Sequence, residues 1–280
     1  MDTFRRGDLT FDVRDSGPAD GPVVVLLHGF PQDGTAYDAV TPLLVAGGAR
    51  VLVPDQRGYS PGARPTARSA YVPREVVDDV VALLDAAGVE RAHLVGHDWG
   101  GVVAWTFGSR RADRTLSLTA LSTPHPAAMV SSLTRSTQAL RSSYMAAFQL
   151  PRLPERVLLA DDGARLRRAL TSSGLSSDRA DHYTRRMQEP GALTTALNWY
   201  RAIPLGGSYG AGTVHVPTAF VYGKRDPFFS PTAVRATARY VRGRFRAVAV
   251  ESGHWVPEQE PGRVADVVLG LVRSEAAGAP

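Results

Sequence analysis

The five residues Gly96-His97-Asp98-Trp99-Gly100 set a carboxylate between two glycines, after the apolar run His93-Leu94-Val95 and before a small, apolar stretch from Gly101 to Gly108. A sharp strand-to-helix turn with glycine on both sides lifts its central side chain above a sheet and leaves the following N–H, here that of Trp99, at a helix N-terminus. Taken alone, G-x-D-x-G also describes a turn with a capping aspartate. The rest of the chain favours a nucleophile. Asp226 follows the run Phe220 to Gly223, and His254 follows Ala247 to Val250 within Glu251-Ser252-Gly253-His254-Trp255, so nucleophile, acid and histidine come in the chain order that folds with such a turn use. His28-Gly29-Phe30-Pro31 closes an early apolar run, where the Phe30 N–H would join that of Trp99 as a donor to an oxyanion.

Aspartate in that position dictates the bond it can attack. A serine must shed a proton as it attacks, whereas a carboxylate with an ordinary pKa near ~3.9 is already ionised at neutral pH. His254, oriented by Asp226, is therefore left free to activate water in a second step. Attack by a carboxylate on an ester or amide would give a mixed anhydride more reactive than the substrate. Attack on saturated carbon gives an ordinary ester, which water can cleave. The substrate is thus expected to carry an electrophilic sp³ carbon with a leaving group.

These residues need a sheet to bring them together. Val23-Val24-Val25-Leu26-Leu27 and Val51-Leu52-Val53-Pro54 are continuous apolar runs of the kind covered on both faces. Pro73 opens a helix with Val76, Val77, Val80, Val81, Leu83 and Leu84 at helical spacing and Gly88 as its stop. Strand and helix then alternate through Leu116–Leu121, the rhythm of a mostly parallel sheet. From about Thr123 to Gly212 no strand-like run occurs, and the pattern is helical, arginine-rich and interrupted by proline. Strands resume at Thr218–Tyr222 and Ala247–Val250, and a last helix carries Val264, Val267, Val268 and Leu271. We expect an α/β core from residues 1–122 and 213–280, with an all-helical cap over 123–212. The candidate residues of the core fall at strand carboxyl ends, where sites of open α/β sheets assemble.

Composition removes several classes of function. With 280 residues and 44% apolar content the chain can bury a large core. The net charge of +5 comes almost wholly from arginine, Lys224 being the only lysine, and forms no basic stripe interleaved with aromatics, so nucleic acid is not an expected partner. The run Arg165-Leu166-Arg167-Arg168 reads as a solvated helix face. Without cysteine there is neither a disulfide nor a thiol nucleophile, and no His, Asp or Glu cluster has metal-ligand spacing, so no metal or other cofactor is expected. No stretch approaches the ~20 apolar residues of a membrane span and the first residues lack a leader's apolar segment, so a cytoplasmic protein is expected. His93, His125, His182 and His215 carry no partner signature, while His28 and His97 are read as shaping their turns.

Together, His28-Gly29-Phe30-Pro31, Asp55-Gln56-Arg57-Gly58-Tyr59-Ser60, Gly96-His97-Asp98-Trp99-Gly100-Gly101, Asp226 and Ser252-Gly253-His254-Trp255 resemble the epoxide hydrolases of the α/β-hydrolase superfamily over nearly the whole chain. The resemblance implies the α/β-hydrolase fold, a covalent ester on Asp98 and a small apolar epoxide with water as substrates. Ser143-Tyr144-Met145-Ala146-Ala147-Phe148-Gln149-Leu150-Pro151 and Leu197-Asn198-Trp199-Tyr200-Arg201 are similar to the two segments from which that family projects tyrosines over the nucleophile. Tyr144 and Tyr200 would then hold or protonate the alkoxide, since a phenol with pKa near ~10 keeps its proton at neutral pH. With Trp99 and Trp199 they are also the expected substrate contacts. Haloalkane dehalogenases resemble the same scheme up to the leaving group. Phe30 replaces their common halide-binding asparagine, whereas the Trp99 and Trp199 indoles would suit a halide. A non-catalytic receptor on the same fold is the alternative from another class, and a homodimer is left open.

Overall fold

In the computed structural model, which describes residues 1–206 and 211–277, the continuous apolar runs become the interior strands of one sheet. Its strands are β1 (Thr3–Arg6), β2 (Leu9–Ser16), β3 (Val23–Leu27), β4 (Arg50–Pro54), β5 (Ala92–His97), β6 (Thr115–Leu121), β7 (Thr218–Gly223) and β8 (Phe245–Val250). Their spatial order is β1-β2-β4-β3-β5-β6-β7-β8. The β1–β2 and β2–β4 pairs are antiparallel, and all later pairs are parallel.

Burial follows this layout. Every residue of β3 and β5 is buried, while β2 at the antiparallel edge alternates buried Phe11 and Val13 with exposed Asp12 and Arg14. Neighbouring residues of β3 feed opposite layers, Val25 and Leu27 joining one core and Val24 and Leu26 the other. Helices α1 (Pro73–Ala86) and α2 (Trp99–Arg110) cover the first face through residues such as Val80, Leu84, Val103 and Phe107. The closing helix α6 (Pro261–Ala277) covers the second through Val264, Val268 and Val272.

Between β6 and β7 the elements of the described residues are helices, followed by a non-helical stretch in which Val214 bridges Val241. Three short helices, Pro126–Ser132, Gln138–Arg141 and Tyr144–Ala147, precede α3 (Leu153–Ser172), α4 (Ser177–Gln188) and α5 (Ala192–Arg201). Residues 207–210, near the end of this segment, lie outside the described residues. Helix α3 is broken at Ala160–Gly163, where Asp161, Asp162 and Gly163 take positive φ. Of the arginine run beyond the break, Arg165, Arg167 and Arg168 are exposed, but Leu166 turns into the core. Helices α4 and α5 seat the segment on the sheet. Arg186 reaches Asp33 (3.1 Å) and Asp55 (3.2 Å), Arg64 meets Glu189 (2.7 Å), and the Thr195 hydroxyl donates to the Gly58 carbonyl (2.7 Å).

Candidate active site

The turn at Asp98 differs from the sequence expectation in extent. Strand pairing runs on through Gly96 and His97, and helix α2 starts directly at Trp99. Only Asp98 remains between them, with φ 51° and ψ −118°, a conformation costly for any residue with a Cβ. So abrupt a turn brings the helix back onto its strand. A Cβ on Gly96 would collide with the Gly100 carbonyl, and one on Gly29 with the Asp98 side chain. The glycines around the aspartate therefore follow from close backbone approach.

The carboxylate of Asp98 is held from two sides. Oδ1 accepts the Phe30 N–H at 2.8 Å, and Oδ2 lies 3.6 Å from His254 Nε2. On its other side, His254 Nδ1 donates to Asp226 Oδ2 at 2.8 Å, and Asp226 Oδ1 accepts the Phe228 N–H at 2.8 Å. Three residues from β5, β7 and β8 loops thus form one chain of contacts. Trp99 opens α2, so its amide sits at the positive end of that helix, next to the carboxylate. The Thr123 hydroxyl, which the sequence did not single out, donates to the Asp98 carbonyl at 3.0 Å.

Charge on these groups follows from their surroundings. Burial alone would raise the pKa of Asp98, but the hydrogen bond and charge of His254 outweigh it and hold the carboxyl below its usual range. For His254 burial pulls downward, and the two carboxylates, Asp226 first, more than offset it and carry the pKa up to about 10. The resting site is a carboxylate, an imidazolium and a second carboxylate. Since the folded pKa lies above the unfolded value, this proton stabilises the fold fully below pH ~6.5 and its contribution fades as pH rises toward about 10. Asp226→Asn should lower the His254 pKa by at least ~1 unit, read from a histidine ¹⁵N NMR titration. An unchanged titration would mean that Asp226 does not hold the imidazolium.

Above the carboxylate lies a cavity of about 350 Å³. Its walls are apolar: Phe30, Pro31 and Trp255 on the sheet side, Phe148, Leu158, Leu166, Ala169 and Leu170 from the helical segment, and Phe228 from the loop after β7. Among the described lining residues, Asp98, His254, Tyr144, Tyr200 and Ser173 bring polar side chains, and the Trp255 indole N–H donates to Ser173 at 3.0 Å. Tyr144 stands on the short helix after Ser143 and Tyr200 on α5, with ring centroids 6.1 Å apart. Burial, together with the charge of Asp98, raises both phenols above their ordinary pKa, so both keep their protons.

The two tryptophans are placed differently from the expectation. Neither lines the cavity. Trp199 is fully buried, and its indole N–H donates to the Arg57 carbonyl at 2.8 Å, tying α5 to the loop after β4. Trp99 packs against the rings of Trp199 (centroids 5.7 Å apart) and Tyr200 (5.0 Å, edge to face), and shares a side-chain hydrogen bond with Tyr200. A residue next to a motif tyrosine on a helix points away from it, which the motif alone did not reveal.

Among the histidines, His28 accepts the Gln56 N–H at 3.0 Å and His97 touches Gln32 and the His254 carbonyl, so both shape their turns. Three of the remaining four are partnered, although their sequence context gave no sign of it. His93 meets Ser117, His125 caps the helix Pro126–Ser132, and His182 pairs with Asp33 at 2.9 Å. No cluster that could hold a metal ion occurs among the described residues, nor is any described helix long and apolar enough to cross a membrane.

Known proteins share this architecture. Residues 22–261 match the family model described as alpha/beta hydrolase fold. The chain is 35% identical to the AB hydrolase superfamily protein YfhM of Bacillus subtilis, covering 95% of this chain and 96% of that protein. It is 32% identical to Epoxide hydrolase A of Mycobacterium tuberculosis over 92% of each chain. Among solved structures, Epoxide Hydrolase A from Mycobacterium thermoresistibile superposes with a TM-score of 0.83 at 27% identity, covering 97% of both chains.

Proposed function

The chain belongs to the epoxide-hydrolase-like branch of the alpha/beta hydrolase family, and from that premise we propose that it opens a small apolar epoxide to a vicinal diol through an ester on Asp98. One observation carries the reading: a carboxylate and two protonated phenols face the same apolar cavity. An epoxide needs both, a nucleophile for carbon and a proton donor for the departing oxygen. A halide needs no proton, and the Trp199 indole N–H, a donor suited to one, is spent on the Arg57 carbonyl.

The steps balance as follows. Asp98 Oδ2 attacks an epoxide carbon, the C–O bond breaks, and Tyr144 or Tyr200 protonates the alkoxide. Alkylation removes the negative charge that helped to hold the His254 proton. That proton then returns the tyrosinate to tyrosine, and neutral His254 becomes available as a base. His254 takes a proton from water, and the hydroxide adds to the ester carbon. The resulting oxyanion forms on Oδ1, where the Phe30 N–H already lies 2.8 Å away, with the Trp99 amide as the second donor. Collapse releases the diol with the proton from His254, and the remaining water proton recharges the imidazole. Residues 123–212 act in this scheme as a cap that supplies the tyrosines and excludes bulk water.

Because the ester oxygen leaves with the product, the water oxygen must remain in the protein. A single turnover in H₂¹⁸O with enzyme in excess should therefore put one ¹⁸O into the peptide containing Asp98 and none into the first diol. Label appearing in the diol at once would mean direct attack by water, and the covalent reading would fall.

A further inference from the structure

Behind the site lies a buried chain of polar groups that the steps above do not use. Glu258, on the turn Val256–Gln259 just after His254, accepts the Tyr183 hydroxyl of α4 at 2.7 Å and the Gln32 side-chain N–H at 2.9 Å. Gln32 Oε1 is 3.2 Å from the Gly29 nitrogen and 2.8 Å from His97 Nδ1. His97 Nε2 is 2.9 Å from the His254 carbonyl. Gln32 and His97 are both fully buried, so each of these polar atoms depends on its partner in the chain.

We propose that Glu258 is a positioning residue that acts through Gln32 and His97 on both halves of the site, and that gain or loss of its proton switches which half is held. The argument is one of donor counting. Ionised Glu258 can only accept, so Gln32 turns its NH₂ toward it and its oxygen toward Gly29 and His97. His97 then carries its proton on Nδ1, and its Nε2 lone pair faces the His254 carbonyl without a hydrogen bond. When Glu258 takes a proton from solvent it becomes a donor, and the Gln32 amide turns over to accept from it. The Gln32 NH₂ now donates to His97 Nδ1, and His97 Nε2–H donates to the His254 carbonyl. The Gly29 N–H has lost its acceptor. In the first state the loop carrying the Phe30 amide is pinned, and in the second the backbone of His254 is.

The surrounding charges allow this switch near neutral pH. Burial raises the Glu258 pKa to about 7 against the hydrogen bonds of Tyr183 and Gln32 and the charges of Arg179 on α4 and His254. Tyr37, in the short helix Gly34–Tyr37, also feels the Glu258 charge, and burial keeps its phenol protonated. Burial and the His254 charge press His97 down to about 3, so it carries one proton, as the counting requires. On the epoxide reading, on which this step rests, ester hydrolysis needs the Phe30 donor and runs faster with Glu258 ionised.

Histidine ¹⁵N NMR of the ligand-free full chain, with His97 assigned by its loss in His97→Gln, tests the switch without any substrate. Wild type is expected to change His97 tautomer between pH ~5.5 and ~8.5, Glu258→Gln to stay in one tautomer, and Tyr183→Phe to move the midpoint upward by ~0.5 unit or more. A single tautomer throughout in wild type, or an unaltered change in Glu258→Gln, overturns the proposal; should that variant not fold, the midpoint in Tyr183→Phe decides. In single-turnover assays the Asp98 ester should decay about tenfold more slowly in Glu258→Gln, without the wild-type fall toward acid pH. Decay at the wild-type rate and profile would also overturn it. If no ester forms in any variant, the epoxide reading falls while the NMR result still decides the switch.

Discussion

His254→Gln is expected to turn a catalyst into a stoichiometric trap. Glutamine keeps a polar side chain of similar reach but cannot take a proton from water, so ester hydrolysis should slow by ~10³–10⁴-fold. Alkylation should survive, because Asp98 needs no base to be ionised. The Phe30 amide still holds Oδ1, and Tyr144 and Tyr200 still face the cavity. Intact-mass measurement after exposure to an epoxide such as a styrene oxide should show one adduct of the full substrate mass, located on the Asp98 peptide. A haloalkane adduct would instead lack the mass of the hydrogen halide, so the same spectrum separates the two chemistries. A variant that turns over normally would remove His254 from the reaction. One that never accumulates an adduct while wild type hydrolyses epoxides would show that His254 is needed before the ester forms.

The legibility of this site in the sequence divides along a physical line. Asp98, Phe30, Asp226 and His254 sit where strands end, and strand ends are marked by apolar runs, glycines and chain order that survive in one dimension. The alternation around β3 and β5 was equally plain, because a strand buried on both faces leaves little choice of residue. The cavity walls were not. Phe148, Leu158, Leu170 and Phe228 are ordinary apolar residues on helices and a loop, and only the packing of those helices decides which of their faces is a wall. Trp199 and Tyr200 make the point at one residue's resolution, since the helix turns one toward the Arg57 carbonyl and the other toward the cavity. The break at Ala160–Gly163 likewise left no mark beyond a single glycine. Gln32 and Glu258 are 226 positions apart, and no local pattern could pair them.

The second large effect concerns Asp98 itself, where two substitutions separate chemistry from backbone strain. Asp98→Gly and Asp98→Ala should each abolish ester formation and lower turnover by at least ~10⁴-fold, the scale of loss when a nucleophile is removed. Their stabilities should differ. Both lose the attraction between the carboxylate and the His254 imidazolium, so that change cancels between them. What remains is the conformation, φ 51° and ψ −118°, which a side chain with a Cβ occupies at a cost of ~1–3 kcal/mol and glycine does not. Glycine gives back ~0.5–1 kcal/mol through the greater freedom of its unfolded chain. Asp98→Gly should therefore be more stable than Asp98→Ala by about 1 kcal/mol, a difference of ~2–4 °C in Tm by calorimetry. Equal stabilities would mean that the turn stores no strain. The expected ordering would place the cost where the chemistry requires it, because the same torsion angles that strain Asp98 aim its carboxylate at the Phe30 amide on one side and at His254 on the other.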